Sequence, residues 1–354
     1  MKAARWHGRQ DVRVEQVPEP RAQPGELVLK VSWCGICGTD MEEYRHGPNI
    51  IPVETPNGLT GRTAPLTLGH EFAGTVVEVG EGVSGFAPGD RVAPEVVLFC
   101  GRCFFCLRHE YALCVNWAAI GLHTDGGLAE YVAVPAFSCV QLPEAIPDEL
   151  SALVEPTEVA VRAVRKANPR LGESVAVVGG GPVGQLVLQA ARAAGAGQVY
   201  LIEPRAARRE LALRLGATAA IDPAQPTWLE ELRDTLHGVG PDIVFECAGA
   251  AGTAELAIKT ARKGGRIVLV GIYPGQVPIT TLEIIVGEKQ ILGTVQHHYD
   301  EDLPAAVELI ASGRIEVTPL VTARIPLERV VEDGFLALAE RGDQYLKILV
   351  GPHL

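Results

Sequence analysis

Three separated segments of the sequence carry side chains of the kinds that bind metal ions. Cys37 lies in the segment CGICGTD of residues 34–40, His70 and Glu71 follow Gly69, and Glu155 precedes Pro156. A thiolate, an imidazole and a carboxylate can hold a catalytic zinc with one coordination position left open. Zinc binding by Cys37, His70 and one carboxylate is therefore one interpretation, and a partly buried histidine beside a surface glutamate is the alternative. The residue types leave open whether that carboxylate is Glu155 or Glu71.

A second candidate metal site consists of four closely spaced cysteines. Cys100, Cys103, Cys106 and Cys114 follow the pattern C-x2-C-x2-C-x7-C. Four thiolates complete a tetrahedral zinc without an open position, so such a site is structural. Two disulfides are the alternative. The short spacing and an expected reducing compartment favour zinc.

A glycine-rich turn lies between a predicted strand and a predicted helix. Residues 174–178 form an apolar run, residues 179–184 read GGGPVG, and a helix is predicted to end at Ala194. This is the G-x-G-x-x-G pattern in its proper context, where the glycines and the helix N-terminus bind a pyrophosphate. The residues concerned are Gly179, Gly181, Pro182, Val183 and Gly184.

An acidic residue follows the next predicted strand. Glu203 ends the run at 199–202 and lies 19 residues beyond Gly184. An acid at this position binds the ribose hydroxyls of NAD and disfavours the 2′-phosphate of NADP. Arg205, Arg208 and Arg209 lie close by in the sequence and leave some use of NADP open.

The elements that position these residues change in character near residue 150. Before it, short alternating runs separated by Pro and Gly predict a β-barrel or sandwich, and residues 46–67 form a long loop that we expect to be an active-site wall. After it, strands alternate with helices, which predicts a parallel sheet. We expect strands at 174–178, 199–202, 221–222, 242–247, 266–271 and 284–293, and helices at 227–236, 252–262, 303–312 and 327–340. A last strand at 345–350 should return to the first domain, so the expected domains are 1–152 with 294–354, and 153–293.

Composition limits the classes of partner. The 354 residues include 43 acidic and 31 basic side chains, giving a net charge of −12 at pH 7. This balance argues against nucleic acid and anionic membrane surfaces, which bind clustered Lys and Arg. The sequence shows neither an apolar signal region nor a run long enough to span a bilayer. We expect a cytoplasmic protein that acts on a small molecule.

Together these segments resemble the zinc-dependent medium-chain alcohol dehydrogenases over essentially the whole length, nearest to the butanediol and sorbitol dehydrogenase branch. The resemblance implies an α/β plus β fold: a chaperonin-like (GroES-like) β-barrel catalytic domain and a doubly wound Rossmann domain. It implies hydride transfer between NAD and a secondary alcohol, most simply a vicinal diol or hydroxyketone. Sorbitol-type polyols, amino-cyclitols and L-threonine are the alternative substrates. A non-catalytic dinucleotide-binding protein is disfavoured because the zinc ligands are present. Relatives form dimers or tetramers.

The resemblance also implies roles for single residues, with Cys37, His70 and Glu155 as the protein ligands of the catalytic zinc. Thr39 matches the hydroxyl that starts a proton relay, and Glu42 stands where many relatives have a histidine, so the relay ends at Glu42 or in water. Glu71 lies beside the metal, either as an exchanging ligand or behind the ligands. Several residues are implied to contact the cofactor, with Glu203 and Arg208 at the adenosine ribose and Lys347 at the pyrophosphate. The others are Thr157, Val183, Val270, Gly271 and Ile272. His297 and His298 follow the sixth predicted strand, where relatives vary; we expect them to be exposed to solvent, with the substrate cleft or an oligomer edge as the alternatives.

Overall fold

The computed structural model describes residues 1–273 and 275–354, which fall into two units. The first unit contains Met1–Glu155, His297–Ala311 and Val317–Leu354, and the second contains Pro156–Gln296 and Ser312–Glu316. The principal boundaries lie three residues from those expected, at 155 against 152 and at 297 against 294. The short piece Ser312–Glu316 was expected in the first domain and groups instead with the second unit.

Short strands dominate the N-terminal part of the first unit. In chain order its elements are β1 (Lys2–Gly8), β2 (Asp11–Gln16), β3 (Glu26–Gly35), α1 (Gly38–His46), β4 (Leu66–Thr67), β5 (Glu71–Val79), β6 (Arg91–Pro94), β7 (Val97–Leu98), β8 (Ala118–Ala119), β9 (Tyr131–Pro135), β10 (Cys139–Gln141) and α2 (Asp148–Ser151).

Strands and helices alternate in the middle of the chain. The elements are α3 (Val154–Ala167), β11 (Ser174–Val178), α4 (Pro182–Ala193), β12 (Gln198–Ile202), α5 (Ala206–Arg214), β13 (Ala219–Ile221), α6 (Trp228–Thr235), β14 (Ile243–Glu246), α7 (Thr253–Thr260), β15 (Arg266–Leu269), α8 (Thr281–Gly287) and β16 (Gln290–Gly293). The chain then continues through α9 (Asp302–Ala311), β17 (Val321–Pro326), a π-helix (Val330–Leu336), α10 (Ala337–Arg341) and β18 (Lys347–Gly351).

Strand β3 is the centre of the largest sheet in the first unit. The order is β10-β6-β5-β3-β18-β17, with β9 also paired to β3. Alternation alone would leave one face of β3 polar, yet Val28 is buried as well as Leu27, Leu29 and Val31. The antiparallel pairing of β18 with β3 brings the C-terminal strand back to this unit, as expected.

The second unit is built on a six-stranded parallel sheet. Its order is β13-β12-β11-β14-β15-β16, which is the strand order of the doubly wound dinucleotide-binding fold. Strand β11 lies in the middle and is buried along its whole length, in keeping with its continuous apolar sequence. Because the strands are parallel, their carboxyl ends share one edge of the sheet, where such folds bind their ligands.

Two element predictions were wrong in detail. The expected strand at 284–293 is the helix α8 followed by the four-residue strand β16, because a short apolar run does not distinguish a helix from a strand. The expected helix at 327–340 consists of a 3-10 turn, the π-helix and α10. Among the described residues, none of the helices has both the length and the apolar character needed to cross a bilayer.

Candidate active site

Cys37 is positioned by the start of helix α1. It follows the end of β3 and caps the helix, and its backbone N–H donates to Asp40 Oδ2 over 2.9 Å. Thr39 lies in the same turn, with its Oγ1 3.9 Å from Cys37 Sγ. The predicted ligand and the predicted relay hydroxyl are therefore neighbours at one helix end. Glu42 is half-buried further along α1, and its role in the relay stays a prediction.

His70 enters the site through a turn that only glycine fits. Gly69 has a φ of +94°, and a Cβ there would lie 2.6 Å from Cys34 Sγ. The turn buries His70 with its Nδ1 3.4 Å from Asp40 Oδ1, without the alignment of a hydrogen bond. Burial lowers the pKa of His70, but Asp40 and Cys37 outweigh it and hold that pKa well above its usual value. The site thus favours positive charge beside Cys37.

Glu71 is held in a buried ion pair. Its two carboxylate oxygens lie 2.6 and 2.5 Å from Lys347 Nζ, which also donates to the carbonyl of Ile36 over 3.2 Å. Burial lowers the pKa of Lys347, and Glu71 and Cys37 more than compensate, so the net pKa lies above 10.5. Gly35 makes room for this carboxylate, since a Cβ at Gly35 would lie 2.2 Å from Glu71 Oε2. Lys347, expected at the cofactor pyrophosphate, is in this structure the partner of Glu71.

Glu155 lies at the start of α3 and contacts a histidine. His297 Nε2 is 3.1 Å from Glu155 Oε1, and His297 Nδ1 is 2.6 Å from Glu95 Oε2. All three side chains are buried, with His297 only 2% exposed. Burial raises the pKa of Glu155, but the contacts with His297 outweigh it and lower the pKa overall.

The expectation that His297 and His298 are exposed was wrong. Both are buried, and His298 also lies edge-on to Tyr111 with ring centroids 5.8 Å apart. The reason is that the chain rejoins the first unit at His297, and both histidines are buried there. Local sequence pattern gives no sign of such a position.

The donor set suits a zinc ion, although its members are not equally close together. Cys37, His70 and Glu155 supply a thiol, an imidazole and a carboxylate, all in the first unit and all electrostatically coupled. Among the described residues, Cys37, His70 and Glu155 do not form a group of three ligand atoms within 4.8 Å of one another. The groups that do are the four cysteines and the set of Glu95, Glu158 and His297. In this structure Glu155 is oriented towards His297, and Glu71 towards Lys347.

The four cysteines form a compact site. Cys100, Cys103, Cys106 and Cys114 are free thiols whose sulfur atoms lie within 4.8 Å of one another. Three of the Sγ–Sγ distances are 3.5, 3.9 and 4.0 Å. A tetrahedron with Zn–S bonds of about 2.3 Å requires sulfur atoms roughly 3.8 Å apart, so the four thiols fit zinc. Backbone N–H groups of Cys106 and Val115 lower the pKa of Cys103 to about 6, which favours its thiolate form.

The glycine-rich turn has the geometry of a pyrophosphate site. Gly179 has a φ of +99°, and a Cβ at Gly184 would lie 1.9 Å from the carbonyl oxygen of Gly179. These two glycines let α4 begin directly against β11. At Gly181, by contrast, a Cβ would meet no described atom within 4 Å, so the backbone is open to a ligand there. Pro182 occupies the first position of α4 and Val183 the next.

Glu203 fixes the adjoining turn. Its buried carboxylate accepts hydrogen bonds from the N–H of Gly180 over 2.6 Å and of Arg205 over 2.9 Å. Arg209 donates to the carbonyl of Glu203 and lies 3.1 Å from Asp222, so it is engaged within this unit. The second unit holds the other predicted cofactor residues. Thr157 is buried on α3, Arg208 lies on α5, and Ile272 is 72% exposed. The N–H groups of Val270 and Gly271 donate to the carbonyl of Glu246.

Two residues near the ligand set, Asp40 and Glu95, were missed by the sequence analysis, and a third, His297, was named there with the wrong surroundings. Asp40 touches both Cys37 and His70, and its position three residues after a helix cap is a signal that could have found it. His297 touches Glu155 and Glu95 touches His297, each from a distant part of the chain, and no spacing rule connects residues so far apart.

Comparison with known proteins gives a consistent result. Residues 23–144 match the family model of the alcohol dehydrogenase GroES-like domain, and residues 182–312 match that of the zinc-binding dehydrogenases. The chain is 39% identical over 356 residues to the (R,R)-butanediol dehydrogenase of Bacillus subtilis (strain 168), covering 100% of both proteins. It is 37% identical over 323 residues to an L-threonine 3-dehydrogenase of Pyrococcus horikoshii, covering 91% of this chain and 89% of that one.

Solved structures agree with the sequence comparison. A crystal structure of 2R,3R-butanediol dehydrogenase from Bacillus subtilis superposes with a TM-score of 0.91 at 38% identity, covering 99% of both chains. The expected pairing of a GroES-like domain with a Rossmann-type domain is confirmed. This chain is an enzyme and belongs to the family of zinc-binding, medium-chain alcohol dehydrogenases.

Proposed function

We propose that this enzyme oxidises a vicinal diol to the corresponding hydroxyketone with NAD, using a zinc ion held by Cys37, His70 and Glu155. The observation that carries the proposal is the thiol, imidazole and carboxylate of the first unit, of which His70 and Glu155 are buried, in a chain whose second unit has a glycine-rich turn fixed by Glu203. The likeness to a butanediol dehydrogenase over the full length supports a diol as the substrate.

The reaction is balanced by hydride and proton transfer. The carbinol carbon of the diol gives a hydride to NAD, and its hydroxyl gives up a proton. The products are a hydroxyketone, NADH and one proton. When bound, zinc supplies a Lewis acid that lowers the pKa of a hydroxyl towards neutrality.

Thr39 moves the proton that the substrate loses. Its Oγ1 lies in the same helix turn as Cys37, which places it beside the metal ligand. The hydroxyl accepts the proton of the substrate and passes its own proton on, to Glu42 or to water. The second hydroxyl of a diol gives the site a further oxygen to bind, which suits a ligand set with one thiolate rather than two.

Glu155 is a better candidate for the third ligand than Glu71. Both oxygens of Glu71 are held by Lys347, and removing them from a buried ammonium would leave that charge unpaired. Glu155 contacts His297 through Oε1, and its other oxygen would be the one that binds zinc. Glu71 then balances charge behind the ligands.

A substrate panel tests the proposed function. The purified enzyme is supplied with each stereoisomer of 2,3-butanediol, sorbitol, L-threonine and 2-butanol, each with NAD and with NADP, and formation of the reduced cofactor is followed. We expect a butanediol isomer with NAD to give the highest kcat/KM, and 2-butanol, which lacks the adjacent hydroxyl, to be much poorer. The proposal fails if sorbitol or L-threonine is oxidised while all butanediols are inert. A preference for NADP would refute the role given to Glu203.

A further inference from the structure

Glu155, the proposed third zinc ligand, belongs to a buried group that also contains His297 and Glu95. The mechanism described above gives no role to His297 or to Glu95. His297 contacts a carboxylate through each ring nitrogen, at 2.6 Å to Glu95 and 3.1 Å to Glu155. Glu95 is 1% exposed, His297 2% and Glu155 7%. All three belong to the first unit. We call them the carboxylate–histidine chain.

Glu95 anchors the far end of this chain to the backbone. Its Oε1 accepts a hydrogen bond from the N–H of Val97 over 2.7 Å, while its own N–H donates to the carbonyl of Ser138. Glu95 follows β6 immediately, so its backbone is part of the large sheet. One oxygen of Glu95 is thereby fixed, and the other is directed at His297.

The anchored carboxylate fixes the histidine ring. A ring with a carboxylate oxygen at each nitrogen loses both contacts if it rotates, so one orientation is strongly preferred. In that orientation Nε2 faces Glu155 Oε1. The rotamer of Glu155 is therefore set by a chain of contacts that ends on the backbone at Val97.

We propose that His297, anchored by Glu95, positions Glu155 as a zinc ligand and so sets the affinity of this site for zinc. The inference rests on the proposed function, because it takes Glu155 as a ligand. His297 is a positioning residue: it acts on the metal through Glu155. Outer partners of metal ligands typically change metal affinity by about 10- to 100-fold when removed.

The test measures zinc affinity, with the four-cysteine site as an internal reference. Zinc-loaded enzyme is titrated with a competing chelator, and the two zinc ions are resolved by their different dissociation constants. In His297→Leu the zinc at Cys37, His70 and Glu155 should bind about 10- to 100-fold more weakly, while the zinc of the four cysteines keeps its affinity. Cobalt substitution provides a second readout, since the visible spectrum of Co²⁺ changes with its ligands.

A matched pair at Glu95 keeps the test decisive if His297→Leu does not fold. Glu95→Gln can accept from Val97 and donate to His297 Nδ1, which leaves Nε2–H pointing at Glu155, so zinc affinity should remain close to that of the wild type. Glu95→Leu removes both contacts and should weaken zinc binding like His297→Leu. His7→Gln is the control, since His7 also lies 3.0 Å from a glutamate, Glu15, but far from the ligand set in sequence.

The outcomes separate the inference from the proposed function. If the wild type binds only the four-cysteine zinc and oxidises no diol, the proposed function fails first. If the wild type binds two zinc ions but His297→Leu or Glu95→Leu leaves both affinities unchanged, only the inference fails. It also fails if the variants raise KM for the diol at unchanged zinc affinity, because His297 would then contact the substrate.

Discussion

At the scale of single residues, the first unit contains carboxylates with different tasks. Glu71 is paired with a lysine, Glu155 with a histidine, and Asp40 with a helix cap and His70. Residue type alone cannot assign these tasks, because each side chain is a suitable zinc ligand. The partners that separate them lie far away in the sequence, at Lys347 and His297.

The ion pair between Lys347 and Glu71 makes a prediction about stability. Lys347→Met removes one partner of a buried pair and should destabilise the enzyme by about 3–5 kcal/mol, since Glu71 is left without compensation. In the double variant Lys347→Met/Glu71→Gln the buried charge is gone, and thermal unfolding should return towards that of the wild type.

The same variants test whether Lys347 also binds the cofactor. If it does, the double variant regains stability but still binds NAD more weakly than the wild type, as measured by NADH fluorescence titration. Recovery of both properties would restrict Lys347 to its pairing with Glu71. A double variant as unstable as the single one would refute the ion-pair account.

Thr39 should be needed for turnover and not for cofactor binding. Thr39→Val removes the hydroxyl at nearly constant volume, and kcat should fall by roughly 10²- to 10⁴-fold, the range of general acid–base catalysis. Thr39→Ser keeps the hydroxyl and should retain most of the activity. Steady-state kinetics together with NAD titration decide the matter: a loss of NAD affinity that accounts for the loss of rate would contradict the relay.

At the scale of elements, the strand–turn–helix unit of β11 and α4 was predictable because all the residues that determine it are close together in the sequence. The apolar strand, the glycines and the helix start follow one another within twenty residues, and the structure has all three. The segment 284–293 shows the opposite case. Its apolar residues fit a strand or a helix, and only packing in the folded chain assigns them to α8 and β16.

Changing two glycines of the turn to alanine should distinguish a loss of protein stability from a loss of NAD binding. In Gly184→Ala the new Cβ would lie 1.9 Å from the carbonyl of Gly179, so we expect a loss of stability at or above the roughly 1–3 kcal/mol typical of overpacking. In Gly181→Ala the Cβ enters open space at a φ of −68°, which alanine tolerates, so stability should fall by no more than about 1 kcal/mol, the cost of alanine at a helix N-cap.

Gly181→Ala should nevertheless impair NAD binding. The methyl group occupies space where the pyrophosphate approaches the backbone, and a loss of roughly tenfold in affinity, about 1.4 kcal/mol, is expected. Thermal unfolding and NAD titration of both variants check this pair. Unchanged NAD affinity in Gly181→Ala would show that the pyrophosphate does not approach at this turn.

At the scale of the whole molecule, the sequence predicted which domains are present better than it predicted the completed site. The four cysteines are close in sequence, so their spacing was enough to predict a metal site, and the structure gathers them. Glu95, Glu155 and His297 come together only through the fold, over separations of 142 and 202 residues. Local patterns cannot show such a group.

Strand β16 gives a prediction about assembly. It lies at one end of the described parallel sheet, next to α8, where Leu282 and Ile285 are 65% and 71% exposed. An edge strand beside exposed apolar side chains can pair with a second copy across a two-fold axis. We expect a dimer or tetramer in which β16 pairs between copies.

Charges at the exposed face of α8 should disrupt this assembly. Leu282→Asp/Ile285→Asp should lower the molar mass measured by light scattering after size exclusion to that of a smaller species. Leu171→Asp is the control, because Leu171 is 92% exposed in the same unit and away from α8 in sequence. A double variant with the mass of the wild type would place the interface elsewhere.

The central claim is that zinc held by Cys37, His70 and Glu155 is required for NAD-dependent oxidation of a diol. It is tested most directly by measuring zinc content and NADH formation on the same preparations of wild type and Glu155→Ala, with the exposed Glu144→Ala as control. We predict about two zinc ions per chain and diol oxidation in the wild type and the control, but about one zinc and little turnover in Glu155→Ala. Two zinc ions and full turnover in Glu155→Ala would contradict the account.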